Sequence, residues 1–220
     1  MKTIQVSTIA TALLLTCAAA SAQDKKAAAP QSEAAPATEK APPASSQPPM
    51  SKEQKAMMEA MQRAGEIRPE HKQLAYFVGD WNSSTTMWMD PKKPPQKTEG
   101  TSHTVALFGG RYIETHYEGT FQGEPLNGQG LFGFDNLKGK FFNTWIDNGS
   151  TGFWLAWGSY DAASKSYTFN GEMDDELKAG AKTAVREVVH VTDPSHYTFE
   201  WYETRAGKES KTLQIDYSKK

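Results

Sequence analysis

From residue 81 to residue 217 the chain alternates apolar and polar side chains in about ten short runs, each closed by a turn signal. Alternation at every second position is the mark of a half-buried strand, whose successive side chains point to opposite faces. The runs fall at 81–89, 98–108, 111–121, 126–134, 140–147, 151–160, 165–173, 182–191, 196–204 and 209–217. Between them stand Pro91, Pro94 and Pro95, then Gly109-Gly110, Gln122-Gly123, Asp135-Asn136, Asn148-Gly149, residues 161–164, the acidic Asp174-Asp175-Glu176, Asp193-Pro194 and Ala206-Gly207. Gly-Gly and Asn-Gly are two-residue hairpin signals, because both accept positive φ. Connections this short join antiparallel neighbours, since a parallel crossover needs about a dozen residues or more. A meander of about ten twisted strands cannot stay flat, and closing it removes both exposed edges. The predicted fold is all-β, an up-and-down antiparallel β-barrel of about ten strands enclosing a cavity.

Ahead of the strands, Ser51 and Gln54 have capping-box spacing. Ala56, Met57, Ala60, Met61 and Ala64 recur at helical intervals, and Gly65 follows as a stop. This predicts a helix over 52–64 whose methionine stripe meets the core. A second turn over 69–77, with Pro69 early in it, completes an N-terminal helical segment (51–78) placed to plug one end of the barrel domain (79–220). Residues 23–50 are rich in Ala, Pro, Ser, Glu and Lys and short of large apolar side chains, the composition of a disordered linker.

Residues 1–22 read as a secretory signal peptide. Met1-Lys2 is a short basic start, 4–20 is apolar or small, and Ala20-Ser21-Ala22 is a small-residue cleavage pattern. The mature chain is expected to begin near Gln23, to be soluble, and to be periplasmic or secreted. Cys17, the one cysteine, leaves with that leader. The rival reading is that Leu14-Leu15-Thr16-Cys17 resembles a lipobox, although Thr16 departs from its usual Gly, Ala or Ser; only then would lipid on Cys17 give an anchored, peripheral membrane association. If Cys17 is lost, no disulfide, thiolate nucleophile or cysteine metal site remains. The net charge is −2 with signs interspersed and no basic stripe, so nucleic acid is not an expected partner.

Gly79-Asp80-Trp81 opens the first strand and resembles the G-x-W start of lipocalins, where the Trp packs at the barrel base. Together with Leu107-Phe108-Gly109-Gly110-Arg111-Tyr112, Gly133-Phe134-Asp135-Asn136, Trp145-Ile146-Asp147 and Gly158-Ser159-Tyr160-Asp161, it makes residues 71–217 similar to the bacterial family called domain of unknown function 1579. The resemblance implies a lipocalin-like barrel and supplies no catalytic residues. Fatty-acid-binding proteins and haem-binding nitrobindins are similar at the level of architecture. A nitrobindin-like site would need a haem-ligating histidine near the C-terminal end, where His190 and His196 match no motif, so no cofactor is expected.

The hairpin at Gly109-Gly110 sets a register in which His103 faces His116, with Glu114 and Glu118 on the same face. Two imidazoles beside carboxylates could bind a divalent metal; the alternative is a solvated outer wall with Ala106, Phe108, Ile113 and Tyr117 inward. A ligand cavity combines apolar walls with a few fixed polar groups. Arg111 shares a face with Ile113, Thr115 and Tyr117; Arg186 alternates with Val188 and His190; Glu200 alternates with Tyr202. An inward arginine would grip a carboxylate or phosphate head, whereas an Arg186–Glu200 ion pair between adjacent strands would be structural. Trp81, Trp145 and Trp157 join Arg111, Tyr117, Arg186, Glu200 and Tyr202 as candidate ligand-binding residues. The run Phe153-Trp154-Leu155-Ala156-Trp157 is apolar on both faces and asks for an outer cover: the N-terminal helix, a second subunit in a homodimer, or a membrane.

The chain lacks a Gly-rich phosphate loop, a G-x-S-x-G elbow and an H-E-x-x-H helix, and Asp174-Asp175-Glu176 lacks the ligand spacing of a calcium loop. The expected function is binding of a small apolar or amphipathic ligand without catalysis. The alternatives are an enzyme using cavity acid/base groups such as His116 and Glu114, and an envelope protein-interaction scaffold.

Overall fold

Turn chemistry decides where these strands pair. Gln122 and Ala206 adopt φ of 52° and 50°, and each precedes a glycine at positive φ, Gly123 and Gly207. Two consecutive positive-φ residues make the primed turn whose twist matches that of its flanking strands. A computed structural model of the chain describes residues 49–90, 92–175 and 178–220. The leader, Cys17, the linker as far as residue 48, Pro91 and Glu176 lie outside the described residues.

The described chain runs α1 (Lys52–Gly65), α2 (Pro69–Gln73), a 3-10 turn (Leu74–Phe77), then β1 (Gly79–Met87), β2 (Gln96–Leu107), β3 (Tyr112–Phe121), β4 (Glu124–Asp135), β5 (Lys140–Asp147), β6 (Trp154–Asp161), β7 (Ser166–Asp174), β8 (Lys182–Asp193), β9 (His196–Arg205) and β10 (Lys208–Lys219). Every strand pairs antiparallel with its sequence neighbour, and β1 also pairs with β10 from Trp81↔Lys219 to Met87↔Leu213. The result is a closed ten-stranded up-and-down barrel.

Two hairpins are wider than their turn signals predict. Phe108 takes φ 49° and joins Gly109, Gly110 and Arg111 in a four-residue loop between Leu107 and Tyr112. The His103↔His116 register survives, but Phe108 is turned out to solvent instead of inward. At Asn148-Gly149 the loop spans 148–153, because the Asp147 carboxylate accepts the Gly149 and Ser150 amides and Asn148 stays bonded to Asn127 and Pro125 at the start of β4. The wider loop shifts register by an even number of residues, so each side chain keeps its face.

The N-terminal segment divides its labour unexpectedly. The Ser51–Gln54 capping box forms, yet α1 buries none of its residues, and Met57, Met58 and Met61 are exposed. Its methionine stripe does not reach the core, and Phe153 and Leu155 on β6's approach and outer face remain 69% and 38% exposed. What fills the barrel base is the next stretch: Leu74 and Phe77 are buried, and Tyr76 donates its hydroxyl to the Asp193 and His196 carbonyls of the β8–β9 turn. The segment ahead is tied to the rim from outside, where Asn136 Nδ2 donates to the Arg63, Ala64 and Glu66 carbonyls and Arg111 Nη2 to that of Gly65. These bonds satisfy carbonyls that a helix end leaves without partners.

Candidate functional site

The base of the barrel is solid. Trp81 is fully buried, donates its indole N–H to the Phe77 carbonyl, and meets Tyr197 edge-on at 4.8 Å between ring centres. In the same core Phe77, Phe132, Phe134, Phe141 and Tyr167 pack on one another in edge-to-face pairs. Such contacts add about 0.5–1.5 kcal/mol per pair beyond area burial.

Above this floor lies a cavity of ≈ 600 Å³ that begins at Phe77 and extends to the loops at the far end, where Phe121, Leu126, Gly149 and Ser150 line it. Its walls come from alternate residues of the strands, among them Ile113, Tyr117, Trp145, Trp154, Val189, Phe199, Trp201 and Ile215. Space for the two largest rings on one side is made by glycine. A Cβ at Gly128 would collide with the Trp145 indole, and one at Gly100 or Gly119 with the Tyr117 hydroxyl. In β1 and β2 the hydroxyls of Ser83, Thr85, Thr98 and Ser102 are buried without a protein partner, and of these four residues Thr85 lines the cavity.

The central polar group is Glu187 of β8, 1% exposed and paired across the ladder with Phe169 and Trp201. Its Oε1 accepts the Trp154 indole N–H at 2.7 Å and its Oε2 the Asn143 amide at 3.0 Å. Burial pushes the carboxyl up to about 7, against the two hydrogen bonds, which favour ionisation. The other charged side chains at the lumen are Asp147, which accepts from the Trp145 indole, and Glu203, which accepts from the Trp201 indole and pairs with Arg205. Among the described residues no Lys, Arg or His lines the cavity.

The sequence-predicted residues are thereby sorted. Tyr117 and Trp145 face the lumen. Trp81 belongs to the floor instead of the cavity wall. Arg111 points away from the interior, bonding the Phe108 and Gly65 carbonyls. Trp157 lies on the outer wall against Phe142, with Lys138 over its ring. Arg186, Glu200 and Tyr202 are also outside. Arg186 pairs with Glu209 instead of Glu200, its Nη2 2.7 Å from Oε2, and stacks on Tyr202, while Glu200 accepts from Lys211 and Tyr202. Burial opposes ionisation of Glu200, but those bonds outweigh it and hold the carboxyl below its ordinary range.

The inward face of β8 is Val185, Glu187, Val189 and Val191, and that of β9 is Tyr197, Phe199, Trp201 and Glu203. The signal was present: the odd-numbered positions carry three valines in one strand and three aromatics in the other, which makes each the better buried face.

His103 and His116 face each other as the register requires, but on the exterior. His103 Nδ1 is 2.7 Å from Asp80 Oδ1, and His116 is 3.5 Å from Glu114. Among the described residues no group of three or more His, Cys, Asp or Glu side chains gathers where it could hold a metal ion. His116 and Glu114 therefore bring no acid/base pair into the cavity. His190 bonds Ser166, and His196 bonds Asp193 and Ser195 at a turn; neither lines the lumen.

Fold and site define a lipocalin-like barrel with a plugged base and one aromatic lumen. Residues 66–219 match the family described as "Protein of unknown function (DUF1579)", and the chain belongs to that family. No curated protein matches its sequence. Among solved structures, Rv2717c from M. tuberculosis is similar at a TM-score of 0.50 and 10% identity, over 70% of this chain and 99% of that one. A de novo designed fluorescence-activating β-barrel is similar at 0.38 and 11% identity, over 66% of this chain and 95% of that one. At 10% identity the likeness to Rv2717c is one of fold alone.

Proposed function

We propose that this barrel holds a small apolar or amphipathic molecule in its lumen and performs no chemistry on it. One observation carries the reading: a ≈ 600 Å³ cavity walled by aromatic and aliphatic side chains, with one deeply buried carboxyl fixed by Trp154 and Asn143. Small-molecule sites have this size and this mixture, an apolar surface for affinity and a few placed polar groups for orientation. Empty, the same surface would leave dispersion contacts unmade.

Native mass spectrometry of the protein purified from its own cells is the test. A non-covalent adduct is expected on the unmodified chain, reduced when Val189→Trp fills the lumen. A bare mass, together with no saturable quenching of Trp145, Trp154 and Trp201 by any apolar probe, would rule the reading out.

The exposed Ile146, Phe153 and Leu155 support a second reading, an interaction scaffold or homodimer. Trp154 faces the lumen, so the informative change is on the outer wall: Leu155→Lys should split a complex if that reading holds, and a monomeric elution of the unmodified chain rejects a homodimer. The leader-like residues 1–22 favour export, and an N-terminus near Gln23 on the native protein is the corresponding expectation.

A further inference from the structure

We propose that the lumen selects a hydrophobic amine, an apolar body bearing one ammonium head, with Glu187 as its counter-ion. This rests on the ligand-binding reading and names the ligand class. Two geometric facts carry it. First, the charged side chains that line the cavity among the described residues are Asp147, Glu187 and Glu203, all acidic. A fatty acid or phosphate head would enter without a cation to meet it, at a large desolvation cost. Second, each oxygen of Glu187 already accepts one N–H, from Trp154 and from Asn143. That donor set suits the ionised carboxylate and leaves it short of a countercharge. Trp154 and Trp201 stand 4.7 Å apart between ring centres beside it, and an ammonium is attracted to indole faces.

The remaining wall suits the same guest. Of the unpartnered hydroxyls on β1 and β2, that of Thr85 belongs to the cavity lining, three strands round the barrel from β8, where it can hydrogen-bond water or a second polar group without supplying charge. Deprotonation of Glu187 near about 7 then couples to binding. The other titratable groups facing the lumen are Asp147, Glu203, Tyr117, Tyr197 and Tyr217. Burial holds the phenols of Tyr197 and Tyr217 above their usual range, so both stay neutral.

The test is a matched set of probes, decylamine, decanol and decanoate, titrated into the full chain at about pH 8 with tryptophan fluorescence as the signal. Decylamine should bind at least about tenfold tighter than either of the others, the discrimination expected of one charge-assisted contact. Glu187→Gln should bring amine and alcohol within about threefold of each other. In the unmodified chain, amine affinity should rise between about pH 6 and about pH 8 while decanol stays flat, which keeps the test decisive if the variant fails to fold. Decanol or decanoate binding as tightly as the amine overturns amine selection and leaves the lumen reading standing. Saturable binding by none of the three overturns both.

Discussion

The Trp154 indole nitrogen and Glu187 Oε1 are 2.7 Å apart, a hydrogen bond that reaches from β6 over the intervening β7 to β8. It ties the deepest carboxyl of the lumen to the wall and fixes the direction in which that carboxyl presents itself.

Glu187 makes stability depend on pH in an uncommon direction. Its folded pKa, about 7, lies above the ordinary carboxyl value of 4.5. The folded state therefore holds a proton that the unfolded state has already lost, and the associated stability is fully present below about 4.5 and lost as pH rises through about 7. The total is at most about 3 kcal/mol. Urea unfolding of the unmodified chain should weaken across that window, and Glu187→Gln should flatten the slope. An equal slope in both proteins would show that burial does not perturb this group.

Trp154→Phe keeps the ring and deletes the donor. Glu187 Oε1 is then buried without its partner, at a cost of about 1–3 kcal/mol. Losing a bond that favours the ionised form should also move the Glu187 transition to higher pH, readable in the pH dependence of urea midpoints.

Gly128→Ala should displace the Trp145 indole, because the added methyl occupies the ring's place. A cost of about 1–3 kcal/mol is expected for such overpacking, with a shift in tryptophan emission as the indole leaves the lumen wall. An unchanged spectrum would mean that the ring does not rest there.

Trp81→Ala should cost about 3–5 kcal/mol, since it empties the floor and removes the bond to Phe77. Trp157→Ala, on the outer wall beside Phe142, should cost only about 0.5–1.5 kcal/mol. Thermal melts of the two variants separate floor from exterior.

Much of the architecture was legible because hairpin turns act locally. Gln122-Gly123 and Ala206-Gly207 each close a two-residue loop between flanking strand pairs, as their chemistry requires, whereas the β8–β9 loop is Pro194-Ser195, with Asp193 still paired to His196. Asn148-Gly149 did not, because Asp147 supplied a carboxylate that captured the loop amides. The site was harder to read. Arg186 and Glu187 are sequence neighbours, and which of them enters the lumen is a matter of strand phase; choosing the even phase put the arginine inside and the acid outside. Val185, Val189 and Val191 outweigh Val188 and Ala184 as a buried face, so weighing both faces resolves it. The fate of α1 was not legible, because a methionine stripe states that a face is apolar and not whether anything covers it.

Closure between the first and last strands has a consequence for how the chain is made. The hydrogen-bonding edge of Gly79–Met87 that meets Lys208–Lys219 has no native partner until those residues emerge from the ribosome. Until then the nascent sheet carries two adhesive margins, and deleting Lys208–Lys219 should leave an aggregating product instead of a smaller folded one. Closure of the lumen thus waits on β10.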